Sequence, residues 1–177
     1  MTFAVLPFQA PADDKEGAQV AAAMTEAAFV EEERRPLWAQ VAPRRSVEQS
    51  LVRHAGIREL AADLNVHFLI RGNVTRAASG YNVEILVVDA ATERVLGTKS
   101  VALATGALTP RRREELVSAL GGLTFSALTA EVARARNKPV DSLDVRDLSF
   151  RAYVDWGHKK QEKDEKGAYV TATDLLN

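Results

Sequence analysis

The spacing of apolar residues along the chain changes period several times, and each change marks a new element. Residues 3–6, "FAVL", are apolar at every position, too short for a buried helix and of the length of a strand covered on both faces. Such strands lie inside mixed or parallel sheets with helices nearby. Pro7 has no N–H to give a ladder, so the strand ends there or leaves that side free. The polar "QAPADD" that follows reads as a loop in which Asp13 or Asp14 caps a helix. Residues 15–35 are alanine-rich and free of proline, which predicts a helix ended by Pro36. Val20, Met24, Ala27, Ala28 and Glu31 are expected on its inner face. "LWAQVAP" (37–43) alternates like a strand, and "RRSVEQSLVRHA" is a loop or short helix. In "GIRELAADLN" (56–65), Ile57, Leu60, Ala61 and Leu64 fall at i, i+3, i+4 and i+7, the stripe of an amphipathic helix.

The period then shortens to two. "VHFLIRGNVTRA" (66–77), "YNVEILVVDA" (81–90) and "RVLGTKSVALA" (94–104) are strand-like and joined by short turns at Gly80 and at 91–93. Three neighbouring strands with tight turns predict an antiparallel meander. Residues 109–136 return to helix, with Thr109 as cap, Pro110 in the first turn and Leu116, Leu120, Leu123 and Leu128 as the stripe. Gly121 and Gly122 cost such a helix about 1 kcal/mol each against alanine, which points to close packing or a kink. Beyond Pro139 come two further helical patterns, about 144–162 and 167–177; Leu148, Ala152, Asp155 and Trp156 are expected inside the first. The order β-α-β-α-β-β-β-α predicts an α/β fold with a mixed sheet packed with helices, the opening run as an inner strand, and a C-terminal helical hairpin. Residues 1–138 form the α/β domain, and 139–177 a linker and helix pair. The last residues, "TATDLLN", stop inside a helix-like pattern, as in a piece of a longer protein.

Composition narrows the classes. Hydrophobic residues make up 46% and charged ones 27% of 177 residues, enough for one ordinary core plus an appendage. A net charge of −1 gives no general field for nucleic acid or an anionic membrane. The absence of cysteine excludes disulfides, thiolate nucleophiles and cysteine-ligated metals. The apolar stretch at 18–30 is too short to cross a bilayer and carries Glu26, so no membrane span is expected. "MTFAVLPF" has no basic residue and meets Pro7 early, unlike an export signal.

Candidate chemistry is sparse. His54, His67 and His158 are far apart; only His158 has acidic neighbours at helical spacing, Asp155 and Glu162, on a face better explained as solvated. Glu31, Glu32 and Glu33, and Asp13 with Asp14, are paired carboxylates at a helix end and in a loop, where nothing perturbs them as catalysis requires. No phosphate-cradling glycine motif and no G-x-S-x-G elbow is present. Ser46, Ser50 and Ser79 show no triad partners. Arg111, Arg112 and Arg113 and the pair Arg44 and Arg45 are basic clusters, the first poorly placed for a helix dipole and so a weak pointer to an anionic partner. Aromatic residues are 6% of the chain, too few for a base-stacking platform. Tyr153 and Trp156 are a seam to the domain or, if exposed, a partner-binding patch. No catalytic, cofactor-binding or metal residue is expected.

Several segments together resemble one family. "FAVLPF", "MTEAAF", "VAPRRSV" and the stretch from "IRELAADLNVHFLIRGNV" to "VEILVVDAATE" are similar to the TolB amino-terminal-like (CsgG/FlgO-like) α/β domain. The resemblance covers about residues 2–136, and the rest resembles the first helix pair of a tetratricopeptide-like repeat. The loop "QAPADDKE", the "AAA" before the first-helix Thr-Glu, and Glu93, where the family often has glycine, depart from the pattern. The resemblance implies a non-catalytic regulatory or protein-interaction module of a bacterial signal-transduction protein. A fragment of a class III adenylate or guanylate cyclase-type or winged-helix protein is the setting it suggests. It implies protein partners or other domains of the same polypeptide, allows a homo-oligomer, and carries no catalytic residue or cofactor. The setting is cytoplasmic, with a periplasmic envelope-assembly protein of TolB/CsgG-like type, or a small-molecule sensor, as alternatives.

Overall fold

The computed structural model describes residues 1–33, 40–104, 109–145, 147, 148 and 150–152. The chain parts into two compact units, Met1–Ala127 and Leu128–Asn177.

The first unit is a mixed α/β fold, as the periodicity predicts. Its strands are β1 (Thr2–Val5), β2 (Gln40–Val41), β3 (Phe68–Ala77), β4 (Gly80–Asp89) and β5 (Val95–Ala104), in the spatial order β2-β1-β3-β4-β5. β1 is inner and parallel to β2 and β3, and all three of its apolar residues Phe3, Ala4 and Val5 are fully buried. β3, β4 and β5 form the expected antiparallel meander, with an irregularity at Val87/Val88. The helices are α1 (Lys15–Glu33), α2 (Arg44–Arg53), α3 (Ile57–Leu64) and α4 (Pro110–Asn137). The segment written as a loop or short helix is therefore the ten-residue helix α2.

β1 does not simply stop at its proline. The Leu6 N–H donates to the Ile70 carbonyl at 2.9 Å, and the Gln9 N–H to the Gly72 carbonyl at 2.8 Å, so the chain tracks β3 past Pro7. Between them the Phe8 N–H turns to the hydroxyl of Thr25 on α1, 2.8 Å away. The Phe8 ring lies on the bare backbone of Gly72, where a Cβ would come within 2.2 Å of a ring carbon. Glycine at 72 is thus a packing requirement.

Alternation along β3 defines two layers. Phe68, Ile70, Gly72 and Val74 share one face, the last three beside their register partners Val87, Ile85 and Val83 on β4. α1 and the first part of α4 cover this face. Leu116, Leu120 and Leu123 are 0–1% exposed in one core cluster with Met24 and Ala28. A Cβ on Gly97 of β5 would stand 3.0 Å from Leu123. The β1–β2 and β2–β3 connections run in opposite directions across the sheet. The right-handed rule for crossovers therefore assigns α1 to one face and α2 and α3 to the other, where Ala4 and Leu69 are fully buried.

Three expectations need correction. α1 buries Gly17, Ala21, Met24, Thr25, Ala27, Ala28, Phe29 and Glu32; Met24, Ala27 and Ala28 are as expected, whereas Val20 and Glu31 are only half-buried. Alanine occupies both sides of this helix, so its pattern alone leaves the register of the buried stripe open. Gly122 is exposed and a Cβ there would make ordinary contact with Lys99 at 3.6 Å, so no close packing explains it. The segment Glu114–Asn137 of α4 is long and apolar enough to cross a bilayer by length and composition, contrary to the expectation from 18–30. Its leucines 116, 120, 123 and 128 are buried in the protein, while Phe125 is exposed.

In the second unit, the end of α4 leads through Pro139 and a 3-10 turn (Val140–Ser142) to helical residues at 145, 147, 148 and 150–152. Asp147 and Phe150 are buried, while Leu148, 52% exposed, and Ala152 are not, the reverse of the expected inner face. Of the expected "LWAQVAP" strand, β2 is the Gln40–Val41 part. Residues 34–39, with Pro36 and the first three positions of that strand, lie outside the described residues. So do 153–177, with the rest of the hairpin, Tyr153, Trp156 and His158 with its acidic neighbours.

Candidate functional site: an open sheet edge and a cleft

β5 is an outer strand ten residues long, paired only with β4 among the described strands. Val95, Thr98, Lys99, Ser100, Ala102 and Ala104 are exposed. Only Val101 and Leu103 are buried, on the helix-covered face. On the other face Thr98 and Ser100 stand beside Leu86 and Glu84 in register, and Glu84 beside the exposed Asn73. This polar, partly uncovered sheet surface ends in a free row of backbone groups.

A cleft of about 410 Å³ opens at the C-terminal end of β1. Leu6, Pro7 and Gln9 form one wall, the α2–α3 turn from His54 to Ile57 another, and Arg71, Gly72 and Asn73 of β3 the floor.

The ionisable groups with clear shifts lie elsewhere, in structural clusters. In the first unit Asp14, not Asp13, caps α1: its carboxylate accepts the Gly17 N–H at 2.8 Å and the Tyr81 O–H at 3.0 Å. Arg76 donates to the same carboxylate at 3.2 Å and to the Tyr81 oxygen at 2.7 Å, and lies over the Tyr81 ring, 5.2 Å from its centre. The Arg76 hydrogen bond and the Gly17 amide lower the Asp14 carboxyl to about 2. Burial and the Asp14 bond push Tyr81 up to about 12. Neither value suits proton transfer near neutrality, so the cluster acts as a clasp between α1 and the β3–β4 hairpin.

In the second unit Asp144 and Asp147 form a reciprocal capping box. The Asp147 N–H donates to Asp144 Oδ1 at 2.8 Å, and the Asp144 N–H to Asp147 Oδ2 at 3.2 Å. The fully buried Asp147 carboxylate pairs with Lys138 at 2.6 Å and Arg134 at 2.7 Å, and Lys138 is the main cause of its fall to about 2. Arg151 donates to the carbonyls of Ala135, Arg136 and Lys138, closing the end of α4. The "DVRD" spacing carries the capping box in sequence; the cations that neutralise it are visible only in space.

The remaining sequence candidates are scattered. His54 Nε2 lies 3.7 Å from Asp63, while His67 meets Thr2 on β1. Among the described residues no three metal-capable side chains converge. Ser50 is fully buried beside Asp63, without full hydrogen-bond geometry, and its proximity lowers the Asp63 carboxyl. Asp63 stands between Ser50 and His54, whereas a nucleophilic triad needs the histidine in the middle. Glu32 is buried against Thr124 of α4 at 3.4 Å, while Glu31 is half-buried and Glu33 exposed. Arg44 pairs with Glu26 and Glu48, and Arg111 with Glu115 at 3.6 Å. Ser46 is half-buried in α2, Ser79 is exposed in the β3–β4 turn, and Gly121 is half-buried within α4. Glu93 adopts φ 57°, in the left-handed region, which explains why glycine suits that position; here its side chain pairs with Arg58 at 2.9 Å.

No family model and no curated protein sequence matches the chain. Similar folds occur among solved structures. TolB from Acinetobacter baumannii matches with a TM-score of 0.49 and 12% identity, over 73% of this chain and 28% of that one. Lipoprotein GNA1162 from Neisseria meningitidis matches with a TM-score of 0.45 and 16% identity, over 70% and 97%. The C-terminal domain of LpoB from Escherichia coli matches with a TM-score of 0.46 and 9% identity, over 59% and 82%. The chain thus spans under a third of the TolB chain. These are likenesses of fold, and they transfer no residue role. None of the three is described as a cyclase, a winged-helix protein or a tetratricopeptide repeat.

Proposed function

We propose that this chain is a non-catalytic module that binds a partner protein by taking an extended segment of it along β5. The observation that carries the reading is the ten-residue outer strand, exposed at six positions and free of proline. Main-chain groups along such an edge supply affinity, and alternate side chains supply selectivity. Thr98, Ser100, Glu84 and Asn73 suit a polar segment that associates and leaves again.

Two settings differ in compartment. The signalling setting, as part of a cyclase-type protein, rests on the sequence resemblance alone. The envelope setting accords with the names of the proteins of similar fold, and fractionation of cells making the natural full-length product decides between them.

Site-specific photo-crosslinking tests the edge. Crosslinkers at Thr98 and Ser100 are expected to capture one defined protein that a crosslinker at the exposed Arg45 of α2 does not. In an antiparallel edge strand alternate residues aim their N–H outward, so one of Lys99→Pro and Ser100→Pro removes a group that only a partner uses. The variant that keeps the parent's circular dichroism should bind the purified partner at least tenfold more weakly. Equal capture from α2, or unchanged affinity in both folded proline variants, would refute the edge as the binding element.

A further inference from the structure

The cleft at the end of β1 sits where the connections of a parallel strand set diverge to opposite faces, a place where open α/β sheets form crevices for ligands. Its walls are mostly apolar: Leu6, Pro7, Leu51, Ile57 and Leu60. Its floor holds Arg71, half-buried on β3. The arginines at 44, 53, 58 and 76 all meet carboxylates within 3.2 Å. Arg71 has no carboxylate within ion-pair distance among the described residues; its register partner is Leu86, and Glu84 lies diagonally beside it on β4 without pairing. Removing a guanidinium from water without a partner is costly, and an anion entering the cleft would offset that cost through two parallel hydrogen bonds. Asn73 and Gln9 also line the cleft.

Carboxylates stand close to the opposite wall. Glu59 folds back over Gly56 at the start of α3, so closely that a Cβ there would lie 1.7 Å from its Oε2. His54, at the rim, lies beside Asp63. The anion therefore belongs at the β3 side, with the ligand's apolar body toward Leu51, Ile57 and Leu60.

We infer that this cleft binds the carboxylate of a small acid or of a peptide C terminus, held by Arg71 with a short apolar body against α2 and α3. The site is separate from the β5 edge and does not depend on the partner reading.

The test is a ¹⁵N-HSQC titration of the full chain with butyrate and its neutral counterpart butyramide, and with acetyl-alanyl-valine and its C-terminal amide. Saturable shifts at Gln9, Ile57, Arg71 and Asn73 are expected with the acids only, with Kd about 1 mM or tighter. Arg71→Gln should weaken binding at least about tenfold, and Arg71→Lys, which keeps the charge but not the fork, should weaken it less. Melting curves verify the fold of each, and Arg71→Lys decides if Arg71→Gln fails to fold. Saturation by butyrate alone assigns a free acid, and saturation by the peptide acid alone a chain terminus; either supports the site. Equal shifts from acids and amides, no saturation, or unchanged binding by the folded variants would overturn it.

Discussion

Asp14, Arg76 and Tyr81 are joined by hydrogen bonds spanning up to 67 positions of chain, and each changes the proton affinity of another. The Asp14 carboxyl falls from 3.8 to about 2 on folding, so the stability it contributes is complete above pH 4 and is lost as pH falls toward 2. Tyr81 rises from 10.0 to about 12, so its contribution is complete below pH 10 and lost as pH climbs toward 12. Melting temperature measured across both ranges should fall more steeply for the parent than for Asp14→Asn at the acid end and for Tyr81→Phe at the alkaline end. Equal slopes would show the clasp does not form. Gly72→Ala places a methyl group into the Phe8 ring and should cost about 1–3 kcal/mol in chemical denaturation, a measure of how far Phe8 can withdraw. An aspartate cap at 13 or 14 was legible from its place before an alanine-rich run, and the structure selects Asp14. Arg76 and Tyr81 were not, because nothing local in a strand marks a side chain that will meet a helix end.

Among the elements, those with one dominant pattern were readable. In α4 three leucines at helical spacing, 116, 120 and 123, are the residues buried in the core. Leu120→Ala should destabilise the protein by about 2–5 kcal/mol, read from denaturant midpoints at unchanged slope. A loss below 1 kcal/mol would mean that α4 is not seated on the sheet. The meander was equally legible from period-two alternation and short turns. α1 was legible as a helix and in part of its inner face, Met24, Ala27 and Ala28, but not in the rest, because alanine fits a core and a surface alike. Thr25 and Glu32 are buried there because the Phe8 amide and Thr124 face them. Leu148 lies outside for a related reason: the capping box of Asp144 and Asp147 and the ion pair of the buried Asp147 with Lys138, rather than apolar spacing, orient the turn around Asp147.

For the whole molecule, we propose that residues 1–138 fold alone. That fragment, which retains all of α4, should melt in one cooperative transition with the amide spectrum of the same residues in the full chain. A fragment ending at residue 127 cuts α4 at the limit of the first compact unit, and should lose stability relative to it. A molten 1–138 fragment would place residues beyond it in the folding unit. What the amino-acid order determined by itself was the α/β order of the first unit apart from α2, the inner place of β1 and the meander, since apolar period and tight turns are written into neighbouring residues. Only the tertiary structure decided which strands flank β1, the full buried stripe of α1, the clasp at Asp14, the outer place of β5 and the arrival of the Arg71 guanidinium in the cleft. Those depend on which distant segments meet, and apolar periodicity records that a face is buried without recording what buries it.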